Sequence, residues 1–197
     1  MGRLPDDPDA ALMIRFQKGD HLAFEGLIEK FKMPVLNYIY RQIGNSSEAE
    51  DIAQNVFIQV YKSAERYQPS AKFTTWLFTI ARNLCLNEFR RRGRHPLESL
   101  QEGTNVDPER DPPQFTDPKA RSPAIETSEK ELEKYILAAI QKLPENQRTA
   151  VLLCRYEGLS YEEIAKILDA TPSAVKSLLH RARDTLKKDL DQFLGET

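Results

Sequence analysis

Near the C-terminus, Ser173, Lys176, Ser177 and His180 recur at three- and four-residue intervals. On a helix that spacing lays them along one face. All can donate or accept hydrogen bonds, which is what reading base edges in a major groove requires. Arg181, Arg183, Lys187 and Lys188 flank the face and suit phosphates. A second constellation precedes it. Thr75, Thr79, Arg82 and Asn83 share a helical face, with Phe73 and Trp76 beside them and Arg90, Arg91 and Arg92 following. Rings interleaved with polar and basic groups suit unstacked bases, which stack on the rings while arginines hold phosphates. Trp76 by itself also reads as a core residue, since aromatics dominate small helical cores. The preceding loop, with Ser70 and Lys72, could close a pocket around an extruded base.

Both constellations bind rather than break bonds. The three histidines, His21, His95 and His180, belong to no triad or metal pattern, and no glycine-rich phosphate loop occurs. Cys85 and Cys154 stand alone inside apolar helical patterns and read as buried free thiols, not a zinc site. The inventory argues against an enzyme and implies no metal and no cofactor.

The elements that position these residues read as helices throughout. Asp9 is the expected cap of a short helix to Phe16, and Asp20 of a longer one carrying Phe24, Leu27, Ile28, Phe31, Val35, Leu36 and Ile39. Pro34 inside it predicts a kink or break. Ser47 and Glu50 form a capping-box pattern opening a helix to about Arg66, with Ile52, Val56, Val60 and Ala64 repeating every four residues. A helix from about Thr74 to Arg92 follows the turn at Tyr67–Ser70. In the C-terminal part, Ser128 and Glu131 mark another start, Leu143-Pro144 a break, and Ser160 with Glu163 a third capping box. Asp169-Ala170 makes a turn, and Thr171 with Pro172 starts the last helix. Two helices joined by so short a turn predict a helix-turn-helix, with Ile164, Ala165, Leu168, Val175, Leu179 and Ala182 inward.

Between these parts, residues 93–127 hold six of the chain's twelve prolines, acids outnumber bases, and no apolar period runs through them. The stretch reads as a flexible linker between two domains, 9–92 and 128–193. The expected fold class is therefore all-α: two small helical domains, the second a helix-turn-helix. The net charge of −2 hides a segregation of arginines and lysines into the two clusters above. No apolar run approaches the roughly 18 residues that span a bilayer, and the N-terminus lacks the apolar region of a secretory signal, so a cytoplasmic protein is expected.

Four strings carry a family resemblance. FTTWLFTIARNLCLNEFRRR resembles the promoter-melting segment of the extracytoplasmic-function sigma factors of bacterial RNA polymerase. AEDIAQNVFIQVYK is similar to their core-polymerase-binding helix. LPENQRTAVLLCRYEGLSYEEIAKIL with AVKSLLHRARDTLKKDL is similar to their domain for the minus-thirty-five element. The resemblance covers roughly residues 9–92 and 129–190. It implies that Asp51, Gln54 and Phe57 dock on core RNA polymerase. It implies that Ser70, Lys72, Thr75, Trp76, Thr79, Arg82, Asn83, Arg90 and Arg91 hold the minus-ten element. It implies that Ser173, Lys176, Ser177, His180, Arg181 and Arg183 read the minus-thirty-five element of promoter DNA. An anti-sigma factor is the further implied partner. Asn55, Asn87 and Ala174 depart from the usual pattern, where an acid, an Asp and a Thr are common. The linker reads equally as a tether or as an acidic strand entering the polymerase channel. The alternative is a conventional helix-turn-helix regulator acting as a dimer without polymerase. The polar-aromatic helix ending in Arg90–Arg92 argues against it, since a sensing domain has no need of one. A linker of this length cannot fix the spacing of two DNA sites, so weak promoter binding by the free protein is expected.

Overall fold

The computed structural model describes residues 7–94 and 123–195, with side chains from 7–94 and 132–191. Among the described residues all regular structure is helical: α1 (Pro8–Gln17), α2 (His21–Ile43), α3 (Ser46–Ser63), α4 (Phe73–Arg94), α5 (Pro123–Lys142), α6 (Glu145–Arg155), α7 (Tyr161–Leu168) and α8 (Pro172–Gly195), with a 3-10 turn at Ala64–Arg66. Residues 95–122, which make up most of the expected linker, lie outside the described residues. The helix expected to open at Ser128 begins five residues earlier, at Pro123, as α5.

Local sequence explains most helix ends. Asp20 caps α2 by accepting from the Ala23 N–H, and Gly44 closes that helix in the left-handed region at φ 83°. Ser160 and Glu163 cap α7 reciprocally, as their spacing predicts. Asp169 ends α7 at φ 50°, and the Thr171 hydroxyl accepts from the Ala174 N–H at 3.2 Å to start α8. Two expected caps move. Asp7, not Asp9, caps α1, and Asn45, not Ser47, caps α3, because in each case the helix begins earlier than the spacing alone indicates. Pro34 does not break α2. Leu27 and Phe31 are buried before it, and Val35, Tyr38 and Ile39 after it, so packing on both sides carries the helix through the missing hydrogen bond.

The stripe Ile52, Val56, Val60 and Ala64 is buried, as its period requires. Burying each of its larger aliphatic side chains contributes roughly 1.5–3 kcal/mol before entropy is counted. The same core runs on without interruption from α1–α4 into α5–α8. A buried polar group joins the halves. Gln42 Nε2 donates to the Tyr38 hydroxyl at 3.1 Å and to the Thr149 hydroxyl at 2.9 Å, and Arg148 donates to the Gln42 carbonyl at 2.7 Å. Burial drives the Tyr38 phenol far above its ordinary range and lowers Arg148 from its own. Two helical units are present, as expected, and they lie docked on each other.

Candidate nucleic-acid interface

The last two helices form the predicted helix-turn-helix. Ile164, Ala165, Leu168, Val175, Leu179 and Ala182 are buried. Ser173, Lys176, Ser177, His180, Arg181 and Arg183 are all exposed on α8. The left-handed Asp169 makes the turn that sets this geometry. The face is partly pre-ordered from within. The Ser177 hydroxyl donates to the Ser173 carbonyl at 3.1 Å, and His180 Nδ1 lies 3.0 Å from Asp184.

The α4 constellation is arranged differently, because α2 and α3 of its own half and α7 of the other all pack on α4. Asn83 is exposed. Thr79 is half-buried, and its hydroxyl donates to the Thr75 carbonyl at 2.7 Å. Thr75 departs from the face assigned to it and is only 3% exposed. Trp76 is half-buried in an aromatic group, its ring centroid 4.8 Å from Tyr67 and 5.8 Å from Phe73. The core reading of Trp76 and the face reading thus both hold in part.

Arg82 is held by the other half. It pairs with Glu145 at 3.2 Å and donates to Asn146 at 3.0 Å and to the Ile167 carbonyl at 3.4 Å. Its side chain is only 14% exposed. Lys72 pairs with Glu163 at 3.0 Å, while Ser70 is exposed beside it. Burial acts to raise the Glu163 carboxyl, but the Ser160 N–H and the Lys72 ammonium outweigh it and hold that group below the ordinary range. Two cations expected at nucleic acid thus face carboxylates of α6 and α7. A carboxylate offers such a cation the same charge-assisted hydrogen bonds as a phosphate.

The arginine run at the end of α4 divides. Arg90 donates to Asn87 at 3.4 Å and is exposed. Arg91 pairs with Glu88 at 2.9 Å. Arg92 turns back onto its own half, pairing with Glu48 and with Glu88 and donating to the Ile43 carbonyl.

On α3, Asp51 and Gln54 are exposed and Phe57 is half-buried. Ile58 and Tyr61, 48% and 53% exposed, extend the same face. Sequence reasoning missed these two as surface residues, although their spacing opposite Ile52, Val56 and Val60 carries the signal. It also missed Glu145, Asn146 and Glu163 as partners of α4, and there no local pattern could have shown it. Both cysteines are free. Burial pushes the Cys85 thiol up to about 12, which makes it unreactive at neutral pH.

Two family models cover most of both described parts: Sigma-70 region 2 over residues 27–95 and Sigma-70, region 4, over residues 133–186. The RNA polymerase sigma-H factor of Pseudomonas aeruginosa is 35% identical across 98% of this chain and 99% of its own length. The chain belongs to the extracytoplasmic-function sigma factors. A sigma-E factor of that family from Escherichia coli K12 is 32% identical over 94% of this chain and 96% of its own. Among solved structures, CnrH in complex with the cytosolic domain of CnrY superposes with a TM-score of 0.66 over 94% of this chain and 99% of that one, at 22% identity. The sigma factor RpoE bound to the anti-sigma factor NepR from Bartonella quintana also gives 0.66, over 85% and 96%, at 23% identity. These two likenesses concern the fold. Among the described residues of this sigma factor no helix is long and apolar enough to cross a membrane, and no group of three His, Cys, Asp or Glu could hold a metal ion.

Proposed function

We propose that this sigma factor directs core RNA polymerase to its promoters with two units, 9–92 and 128–193, and does no chemistry of its own. In this reading α3 docks on the polymerase through Asp51, Gln54 and Phe57, with Ile58 and Tyr61 widening the contact. Ser70, Lys72, Trp76, Thr79, Arg82, Asn83, Arg90 and Arg91 hold the opened minus-ten element. Thr75 acts there from beneath the surface, through the carbonyl that fixes Thr79. Ser173, Lys176, Ser177, His180, Arg181 and Arg183 read the minus-thirty-five duplex. Extruding a base costs a few kcal/mol, which ring stacking and hydrogen bonds in a pocket offset.

One observation carries the reading: the α8 face is exposed while Arg82 and Lys72 of the α4 region are held by Glu145 and Glu163. The free protein offers duplex-reading groups but withholds Arg82 from the melted strand and ties the exposed Lys72 in an ion pair. Promoter recognition then requires the halves to part, and the polymerase supplies both the separation and the spacing. An anti-sigma factor that stabilises the docked arrangement would silence the protein. The anti-sigma factor NepR bound to RpoE in one of the fold neighbours is in keeping with that form of control. The experiment is run-off transcription with purified core polymerase, with and without this protein, on a pool of promoter fragments. Transcripts that need the protein, together with weak promoter binding by the protein alone, are expected. Tight specific binding of the isolated protein at physiological salt, with no dependence of transcription on it, would favour a conventional helix-turn-helix regulator.

A further inference from the structure

The segment between α3 and α4 is fixed at both ends by α1. At its start, Gln17, the last residue of α1, donates from Nε2 to the Ala64 carbonyl at 2.7 Å and to the Tyr67 carbonyl at 2.9 Å. At its end, the Asp7 carboxylate accepts from the Phe73 N–H at 2.7 Å with one oxygen and from the Asp9 N–H at 3.0 Å with the other. A single carboxylate therefore caps two helices, α1 and α4, whose first N–H groups lack partners of their own. The Tyr67 side chain is buried between the two fixings. Its ring lies against Phe73 and Trp76, with centroids 6.2 and 4.8 Å away.

Between these anchors Gln68, Ser70 and Lys72 are exposed, and the Ser70 N–H donates to the Gln68 carbonyl at 2.8 Å. A short loop whose ends are both hydrogen-bonded to one rigid helix holds its tip with little freedom. That is the condition for discriminating one base from another, because a loose site loses the geometry its hydrogen bonds need. Neither Asp7 nor Gln17 lies among the exposed residues expected at the DNA. Each acts through the loop.

We propose that Asp7 and Gln17 are positioning residues that set base preference at the minus-ten element by clamping the Gln68–Lys72 loop from α1. The proposal rests on the reading of that loop as a minus-ten contact. Gln17→Glu keeps the shape of the side chain and removes the N–H pair that both carbonyls need. Asp7→Ala removes the shared cap. Asp7→Asn retains one acceptor and is expected to restore part of the effect.

The assay is run-off transcription by the reconstituted holoenzyme on a template pool randomised separately at the minus-ten and minus-thirty-five elements, with transcripts sequenced. Core-polymerase affinity and thermal midpoint are measured on the same samples. Gln17→Glu and Asp7→Ala are expected to lower the preference ratio at the loop-read minus-ten position at least about threefold, a loss of roughly 0.6 kcal/mol of discrimination. The minus-thirty-five profile and core affinity are expected to stay as they are. An unchanged minus-ten profile in Gln17→Glu, or equal flattening at both elements, overturns the proposal. Ser70→Ala and Lys72→Ala separate the two ideas. If these direct loop variants leave the minus-ten profile unchanged, the loop reading fails. If they flatten it while the α1 variants do not, the clamp alone fails.

Discussion

Replacing Glu145 with alanine tests whether the docked arrangement withholds the α4 cations. Glu145 pairs with Arg82 at 3.2 Å, and the two side chains are 30% and 14% exposed. A hydrogen bond to a charged group contributes about 1.5–3 kcal/mol to stability. Partial exposure of both partners lowers this to about 1–2 kcal/mol. That corresponds to a roughly 5–30-fold shift from docked to parted halves. Glu145 also begins α6, so its loss weakens that helix by a few tenths of a kcal/mol through the helix dipole. A double-mutant cycle with Arg82→Ala removes this local term, because only the coupling between the two positions survives the subtraction. The readout is the distance between dyes at exposed positions 25 and 187, attached by a chemistry that spares both cysteines. Glu145→Ala is expected to enlarge the population with long distances by that factor. It is also expected to tighten binding of a single-stranded minus-ten oligonucleotide at fixed salt, since Arg82 leaves Asn146 and the Ile167 carbonyl as well in the enlarged parted population. A coupling energy below about 0.3 kcal/mol, within the error of additivity, would refute the reasoning. So would an unchanged distance distribution.

Two further outcomes follow from individual groups. Burial pushes the Glu157 carboxyl up to about 7, against the opposing Arg41 guanidinium, whose carbon lies 4.0 Å from the neighbouring Tyr156 ring. With the folded value raised, the folded chain holds this proton longer than the unfolded one, so stability falls as pH rises from about 4.5 to about 7 and is level above that. Partial burial limits the fall to about 1–3 kcal/mol, and denaturant midpoints at pH 5 and 8 should differ in that sense and converge in Glu157→Gln. Gly44 sits at φ +83°, and a Cβ there would meet Gln141 Nε2 at 2.7 Å. Gly44→Ala should destabilise by about 1–2 kcal/mol for the left-handed backbone, the flexible Gln141 amide yielding at small cost, and a thermal melt reads this directly.

Much of this protein was legible locally. Periods of three and four in Ile52, Val56 and Val60 and in Val175, Leu179 and Ala182 identify the buried faces, because a helix turns through one face at that spacing. The Ser160–Glu163 box and the Thr171-Pro172 start mark the recognition unit through hydrogen bonds that span three residues. The α8 face is exposed as read, since its inward stripe leaves only one side for Ser173, Lys176 and His180. The caps at Asp7 and Asn45 escaped because a carboxylate or amide chooses among nearby N–H groups by tertiary placement as well as by spacing. Continuity through Pro34 escaped for a related reason: core contacts on both sides of the proline outweigh one missing hydrogen bond. What tertiary structure alone decided is the pairing across the chain. Arg82 meets Glu145 sixty-three residues away, and Lys72 meets Glu163. Gln42 meets Thr149, and Asp7 meets Phe73. No period or cap encodes such partners. They arise where two helical units, each with its own legible apolar faces, come to rest on each other and on α1 and share one core.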